Sequence, residues 1–448
     1  MDITSKPVLG GLIRSPYIIN TIRIVVLYLF LSAIVFGLFY PNTKGEFTTA
    51  LFWGFFWPFL IVILVPIFGN WFCSICPHGF IGKYLTRFGL HKRFPRKART
   101  AYIGLALLLL CYWLATFTFP RLFFASPQLT AGFFLFFTLL AFICFFVYEG
   151  MSYCKYICPL GGALTVFGKL GASRISTDSQ ACGSCQSFEC AKSCSYHLSP
   201  FLFSDRNNMS ECTLCLDCVY SCESVKLEVN MPMQSIVKEI KKTSLSESWI
   251  LIMLTAVVGL GVQFQHGLNH TAFKESMPWN QLGLLTTSYF PALNQSQWSG
   301  LFAMILAVLL TIIATVLGCL AAANRLQLSF NSVLVKVSYS YAPLVLLALM
   351  SHSIPFFLTH SSEMIANAAI NAFNLPWPPV EPLVSRAAPW LQSFNYAPFF
   401  AVGCCLFVLY IRCGLLTDKI SIRLYCVMTT AAPLWVFLST ISFRLYAH

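Results

Sequence analysis

Eight cysteines between Ala181 and Val229 fall in two runs, Cys182, Cys185, Cys190 and Cys194, then Cys212, Cys215, Cys218 and Cys222. The second run has the spacing Cys-x2-Cys-x2-Cys-x3-Cys, which in bacterial ferredoxins wraps a cubane of iron and sulfide. Three close thiolates cover one side of such a cluster, and the fourth cysteine of each run serves the other cluster. The spacing therefore predicts two [4Fe-4S] clusters. One takes Cys182, Cys185, Cys190 and Cys222; the other takes Cys212, Cys215, Cys218 and Cys194. Zinc is held by paired Cys-x2–4-Cys groups, which a triplet plus one, repeated twice, matches poorly. The first run departs from the bacterial spacing with four residues between Cys185 and Cys190. Neither run ends in Cys-Pro, since Ser195 and Glu223 stand there.

Two further pairs precede this segment, Cys73-Ser-Ile-Cys76-Pro77 and Cys154-Lys-Tyr-Ile-Cys158-Pro159. They belong to an internal repeat. Cys76-Pro-His-Gly leads to Lys83, Arg87 and Gly89, and Cys158-Pro-Leu-Gly leads to Lys169 and Gly171. These pairs are candidates for binding a metal or cofactor, for thiol–disulfide exchange, or for shaping a helix end. Burial as small structural side chains is the plainer reading, and it also fits the scattered Cys111, Cys144, Cys319, Cys404, Cys405, Cys413 and Cys426. Among the histidines, His266 and His352 close two apolar stretches at similar depth. They are candidates for the axial ligands of a haem b or for a quinol site. His270 and His360 lie nearby at the expected interface. His78 follows the first Cys-Pro pair and is a candidate ligand or proton donor there, though a helix N-terminal residue is the plainer reading. Glu149 reads equally as a proton relay and as a capped or paired carboxylate. No phosphate-binding glycine loop, dinucleotide fingerprint or hydrolase triad is present.

What positions these groups is a membrane protein. Only 10% of the residues are charged and 57% are hydrophobic, and the mean hydropathy is +0.71; soluble domains carry about 25% charged residues. The net charge of +13 comes from basic residues flanking apolar stretches, which speaks for orientation and anionic lipid rather than nucleic acid. Apolar runs near the ~20 residues that cross a bilayer occur around 22–40, 47–68, 101–119, 129–149, 248–265, 300–322, 333–359, 396–416 and 422–443. The expected fold is therefore an all-α polytopic membrane protein of about nine helices with a small inserted two-cluster ferredoxin-like (α+β) segment. Three parts are expected. Residues 1–175 form a four-helix membrane half with two Cys-Pro motifs, 176–235 the ferredoxin segment, and 236–448 a C-terminal membrane half of about five helices.

Lysines and arginines concentrate in 1–23, 83–99, 154–247, 323–336 and 412–424 and are sparse in the other loops. The positive-inside rule then puts the N-terminus and the eight cysteines in the cytoplasm, where thiolates stay reduced, and the C-terminus in the periplasm. The outer loops 266–299 and 360–395, with Trp279, Trp298, Trp377 and Trp390, are expected to lie on the membrane surface.

The combination of Trp-Phe-Cys-Ser-Ile-Cys-Pro-His-Gly, Tyr-Cys-Lys-Tyr-Ile-Cys-Pro-Leu-Gly and the eight cysteines resembles the NapH/NosR/CcoG-type membrane-bound polyferredoxins. The resemblance covers about residues 22–230, and the first Cys-Pro pair has one residue fewer than the family's Cys-x3-Cys-Pro. It implies a multi-pass protein of the bacterial cytoplasmic (inner) membrane. It also implies electron transfer between the quinone pool or a cytoplasmic donor and other redox proteins. The alternative it implies is a maturation factor that reduces a metal ion or thiol while a respiratory metalloenzyme is assembled.

Overall fold

The computed structural model describes residues 1–114, 125–203, 212–231, 234–237, 244–291 and 298–447. The chain divides into two compact units. One gathers Met1–Leu105, Ser126–Lys242 and Phe356–Leu383; the other gathers Ala106–Ala125, Thr243–Pro355 and Val384–His448. Among the described residues six helical stretches are long and apolar enough to cross a membrane: Pro16–Phe39, Pro127–Val147, Leu245–His270, Trp298–Leu326, Phe330–Phe373 and Pro389–Cys413. Ile420–Thr430 with Ala432–Tyr446, bent by 53°, makes a seventh if counted as one span. Two expected spans are not among them. The stretch 47–68 forms three consecutive helical pieces, Glu46–Thr49, Ala50–Leu64 and Val65–Phe68, the middle one with widened π-type turns. The stretch 101–119 is helical over Tyr102–Tyr112, and its end lies outside the described residues.

In the first unit, helix Pro16–Phe39 starts on Pro16, whose fixed φ suits the first helical turn. It packs through Phe30, Ala33 and Ile34 against Phe47, Phe52, Ala368 and Ala372. Phe52 stacks on Phe134 of helix Pro127–Val147, with ring centroids 3.7 Å apart. Gly69 ends the Val65–Phe68 helix with φ +97°, a backbone that side chains avoid. Gly171 passes so close that a Cβ on it would lie 2.2 Å from the Gly69 backbone. This near-contact of two glycines, Gly69 just before the first Cys-Pro motif and Gly171 after the second, brings the two hairpins together.

The cysteine-rich insert closes on a two-stranded antiparallel sheet. Strand β1 (Ser173–Thr177) pairs with β2 (Val225–Val229), with Ser173 opposite Val229 and Thr177 opposite Val225. Alternation sends Ile175, Val225 and Leu227 into the insert's core with Leu214, Leu216 and Val219. The N-terminus covers the free edge of β2, where the Ile3 amide donates to the Leu227 carbonyl at 2.9 Å. On the outer face Arg174 pairs with its cross-strand partner Glu228 at 2.6 Å, and the Ser176 hydroxyl donates to the same carboxylate at 2.6 Å. Both charged side chains are about one-fifth exposed, 22% and 23%. Glu228→Ala is therefore expected to cost only about 1 kcal/mol, read as a drop of a few degrees in the thermal midpoint in detergent. An unchanged midpoint would show that the pair contributes nothing.

In the second unit, helix Trp298–Leu326 buries a stripe of small residues, Ala303, Ala307, Thr311, Thr315, Gly318 and Ala322, as helices that approach closely in a membrane do. Within loop 266–299, Trp279 departs from its expected interfacial place. Helix Pro278–Tyr289 packs against the unit's core, and Trp279, 3% exposed, stacks on Phe264 at 4.6 Å. Its indole N–H donates to Asn269 Oδ1 at 3.0 Å. An aromatic with a satisfied polar tip is stable in a core, so this tryptophan is not an interfacial anchor. Trp377 and Trp390 of the later loop are exposed.

Candidate iron–sulfur centre

The eight insert cysteines come together in two sets. Which sulfurs lie close enough to raise one another's pKa gives the grouping. For Cys182 and Cys190 burial is the first cause of a raised pKa, and Cys222 is a neighbour of both, with Cys185 also beside Cys182. Burial likewise comes first for Cys215 and Cys218, and Cys212 and Cys194 are neighbours of both. Thus Cys194 crosses to the second run and Cys222 to the first. Cys190 is also a neighbour of Cys218, so the two sets adjoin.

Local backbone explains how short loops aim four thiols inward. Phe188, His197, Leu214 and Leu216 are left-handed, with φ of 48°, 52°, 52° and 64°, a conformation uncommon for bulky residues. Leu214 and Leu216 alternate with Cys212, Cys215 and Cys218, so the chain reverses between successive thiols while the leucines enter the core. The turned amides also face the sulfurs: Leu214 N–H donates to Cys212, Asp217 N–H to Cys215, and Phe188 N–H to Cys185. Burial pushes Cys212 up to about 12 against the pull of the Leu214 amide, and Cys194 adds to the rise. Thiols this buried ionise when a bound cation offsets their charge.

Cys194, Cys212, Cys215 and Cys218 line one cavity of about 20 Å³ with the apolar Ile175, Leu198, Phe203 and Leu216. This donor set, four thiols in an apolar wall with amides aimed at the sulfurs, fits an iron–sulfur cluster. Among the described residues no group of three or more His, Cys, Asp and Glu closes around a single metal ion, and none of the described cysteines is in a disulfide.

The four Cys-Pro cysteines also meet. Cys73 and Cys76 come from the Trp71–Ile75 helix and its link to helix Pro77–Phe88; Cys154 and Cys158 come from the Tyr153–Ile157 turn and its end. All four line a cavity of about 60 Å³, with His78, Tyr153, Tyr196, Asn70 and Thr213. Tyr196 and Thr213 line both this cavity and the insert's. His78 is buried, and burial lowers its pKa to about 4. Its Nε2 lies 2.9 Å from Thr138 Oγ1, so the ring is a neutral wall residue as well as the second residue of its helix.

A set of polar clamps fixes the insert to the hairpins, and sequence reading misses all of them. Arg23, 3% exposed, donates from Nε to the Ser74 carbonyl at 2.8 Å and from Nη2 to the Cys215 carbonyl at 2.9 Å. One side chain thereby ties a Cys-Pro loop to an insert cysteine. Lys83 Nζ meets the buried Asp217 Oδ2 at 2.7 Å. Asn70 Nδ2 donates to the Cys212 carbonyl at 3.3 Å, and Lys155 Nζ to the Tyr196 carbonyl at 2.9 Å. In sequence these residues look like positive-inside charges or ordinary polar residues.

His352 is exposed on helix Ala342–Phe356. His266 lies in the helical turn Gln263–Gly267; its side chain lies outside the described residues, as does any geometry between the pair. His360 sits 3.7 Å from Glu363. Glu149 lies 3.9 Å from Arg93, loosely and in solvent, which is the arrangement of a surface ion pair. Cys144, Cys319, Cys405, Cys413 and Cys426 are buried among apolar side chains.

No solved structure matches the chain. It is similar to two uncharacterized proteins of Methanocaldococcus jannaschii. MJ0749 is 25% identical over 167 residues, 37% of this chain and 65% of the relative's length. MJ0750 is 26% identical over 182 residues, 37% of this chain and 73% of that relative. The profile of a family described as a 4Fe-4S binding domain matches twice, over residues 49–97 and 130–177. The first match contains Cys73 and Cys76, the second Cys154 and Cys158, so the likeness to 4Fe-4S binding domains falls on the two hairpins that the fold brings together.

Proposed function

We propose that the chain is a membrane-bound iron–sulfur protein that passes electrons between the quinone pool or a cytoplasmic donor and a respiratory or other redox partner. The observation that carries this reading is the sorting of the eight insert cysteines into two four-thiol sets locked onto membrane helices by buried Arg23 and the Lys83–Asp217 pair. A bound [4Fe-4S] cluster supplies one-electron chemistry. The insert's cysteines would hold it, with the amide N–H groups of Phe188, Leu214 and Asp217 aimed at its thiolates. The basic loops support an orientation with the insert and N-terminus in the cytoplasm and the C-terminus in the periplasm of a bacterial inner membrane. His266 and His352 are the residues proposed to meet quinol or haem b in the second unit.

The test uses membrane vesicles containing the full chain, with a short-chain quinol added anaerobically. Bleaching of the iron–sulfur absorbance as quinol is oxidised supports the reading. If quinol and quinone leave the colour unchanged in both directions, the link to the quinone pool fails. If loss of the protein spares respiration until a metalloenzyme must be newly built, the maturation role replaces it. A reduced spectrum without haem bands removes haem b.

A further inference from the structure

We infer that Cys73, Cys76, Cys154 and Cys158 together hold a third iron–sulfur cluster, shared between the two Cys-Pro hairpins. The inference deepens the electron-transfer reading and rests on it for the purpose of the site. Each hairpin alone offers two thiols, half of what a cubane needs. The internal repeat supplies the other half, and the fold turns both pairs to one cavity. That cavity, about 60 Å³, exceeds the ~10–15 Å³ that one water needs, so it suits a group of several atoms.

The sulfurs are also furnished as cluster ligands are. The Asn70 amide donates to Cys73, the backbone N–H groups of His78 and Gly79 donate to Cys76, and the Tyr196 hydroxyl donates to Cys154. Hydrogen bonds to the sulfurs are what set the potential of such a centre. Tyr196 grows from the loop just after Cys194, a cysteine of the insert's second set, yet its hydroxyl reaches Cys154. It lines both cavities. Tyr196 is therefore a positioning residue that joins the insert's second site to the hairpin site, and Lys155 holds its backbone carbonyl.

The experiment is metal and sulfide analysis with an EPR redox titration of the full-length chain purified anaerobically in detergent. The wild type is expected to carry about twelve irons, about four for each four-cysteine site. Cys73→Ser combined with Cys158→Ser, one ligand from each hairpin, is expected to carry about eight and to keep the insert's two signals. Tyr196→Phe keeps all four thiols and all the iron, and is expected to shift the midpoint of one of three signals while leaving the other two in place. Should the double variant fail to fold, Tyr196→Phe decides: a shift confined to a third signal, one that Cys185→Ala and Cys218→Ala both leave in place, supports the site, and no such shift overturns it. Eight irons in both wild type and double variant, or one zinc per chain lost with the double variant, overturns the inference. About four irons in the wild type and none in the double variant would leave this site standing and sink the two-cluster reading of the insert.

Discussion

Cys222→Ala is expected to remove the same cluster as Cys182→Ala, and Cys194→Ala the same cluster as Cys212→Ala. Each variant loses about four irons per chain. The pairing runs against sequence order, because Cys222 belongs to the second run and Cys194 to the first. It follows from the geometry: Cys222 neighbours Cys182 and Cys190, while Cys194 neighbours Cys212, Cys215 and Cys218. The antiparallel β1–β2 pair fixes both ends of the insert, which brings Cys222, just before β2, back beside Cys182, just after β1. EPR of the four variants, each with iron analysis, reads the result directly. If Cys222→Ala instead removes the signal that Cys218→Ala removes, each run binds its own cluster and the crossed arrangement is wrong.

Arg23→Ala is expected to lower stability by about 3–5 kcal/mol and to strip iron from the set containing Cys215. The guanidinium makes hydrogen bonds to Asn20, Ser74 and Cys215 from a buried position. Hydrogen bonds involving a charged group contribute about 1.5–3 kcal/mol each, and truncation leaves the Ser74 and Cys215 carbonyls without this donor. The Cys215 loop then loses its tether to the membrane helix. Arg23→Lys should rescue little, since one ammonium on a flexible stem cannot reproduce the fork that reaches separate carbonyls. Thermal melting in detergent with iron analysis checks this. A variant that melts with the wild type and keeps its full iron would remove Arg23 from the account.

The parts of the site that sequence made legible are those written in local spacing. Cys212, Cys215, Cys218 and Cys222 announce a cluster loop because a cubane fixes the reach between successive thiols. The repeat around Cys76-Pro77 and Cys158-Pro159 announces two like hairpins. The convergence of those hairpins is not local. It depends on the close passage of Gly69 and Gly171, and glycines spaced so far apart give no signal of meeting. Arg23, Lys83 and Tyr196 were opaque for the same reason. A basic residue flanking an apolar stretch has the same sequence signature whether it faces lipid or, like Arg23, reaches an insert carbonyl. The left-handed Leu214 and Leu216 were opaque because leucine has no preference for that conformation; the surrounding loop imposes it.

Membrane helices were legible where hydropathy alone decides, as in Pro16–Phe39 and Trp298–Leu326. They were less so where backbone irregularity intervenes. The widened turns over Ala50–Leu64 and the bend between Thr430 and Ala432 leave helical pieces that apolar content alone reads as single straight crossings. Trp279 shows the limit of composition. An aromatic in a polar loop suggests an interface, but a stacking partner and one amide acceptor suffice to bury it.

The most direct test of the central claim, that the insert holds two adjoining clusters docked on the membrane helices, is low-temperature EPR of the purified, dithionite-reduced full-length chain. The account predicts brown protein whose reduced spectrum contains, beside the signal of the hairpin site, two interacting [4Fe-4S] signals from the insert, with Cys218→Ala and Cys185→Ala each removing one and abolishing the interaction. Colourless protein carrying zinc, or iron that survives both substitutions undiminished, would contradict it.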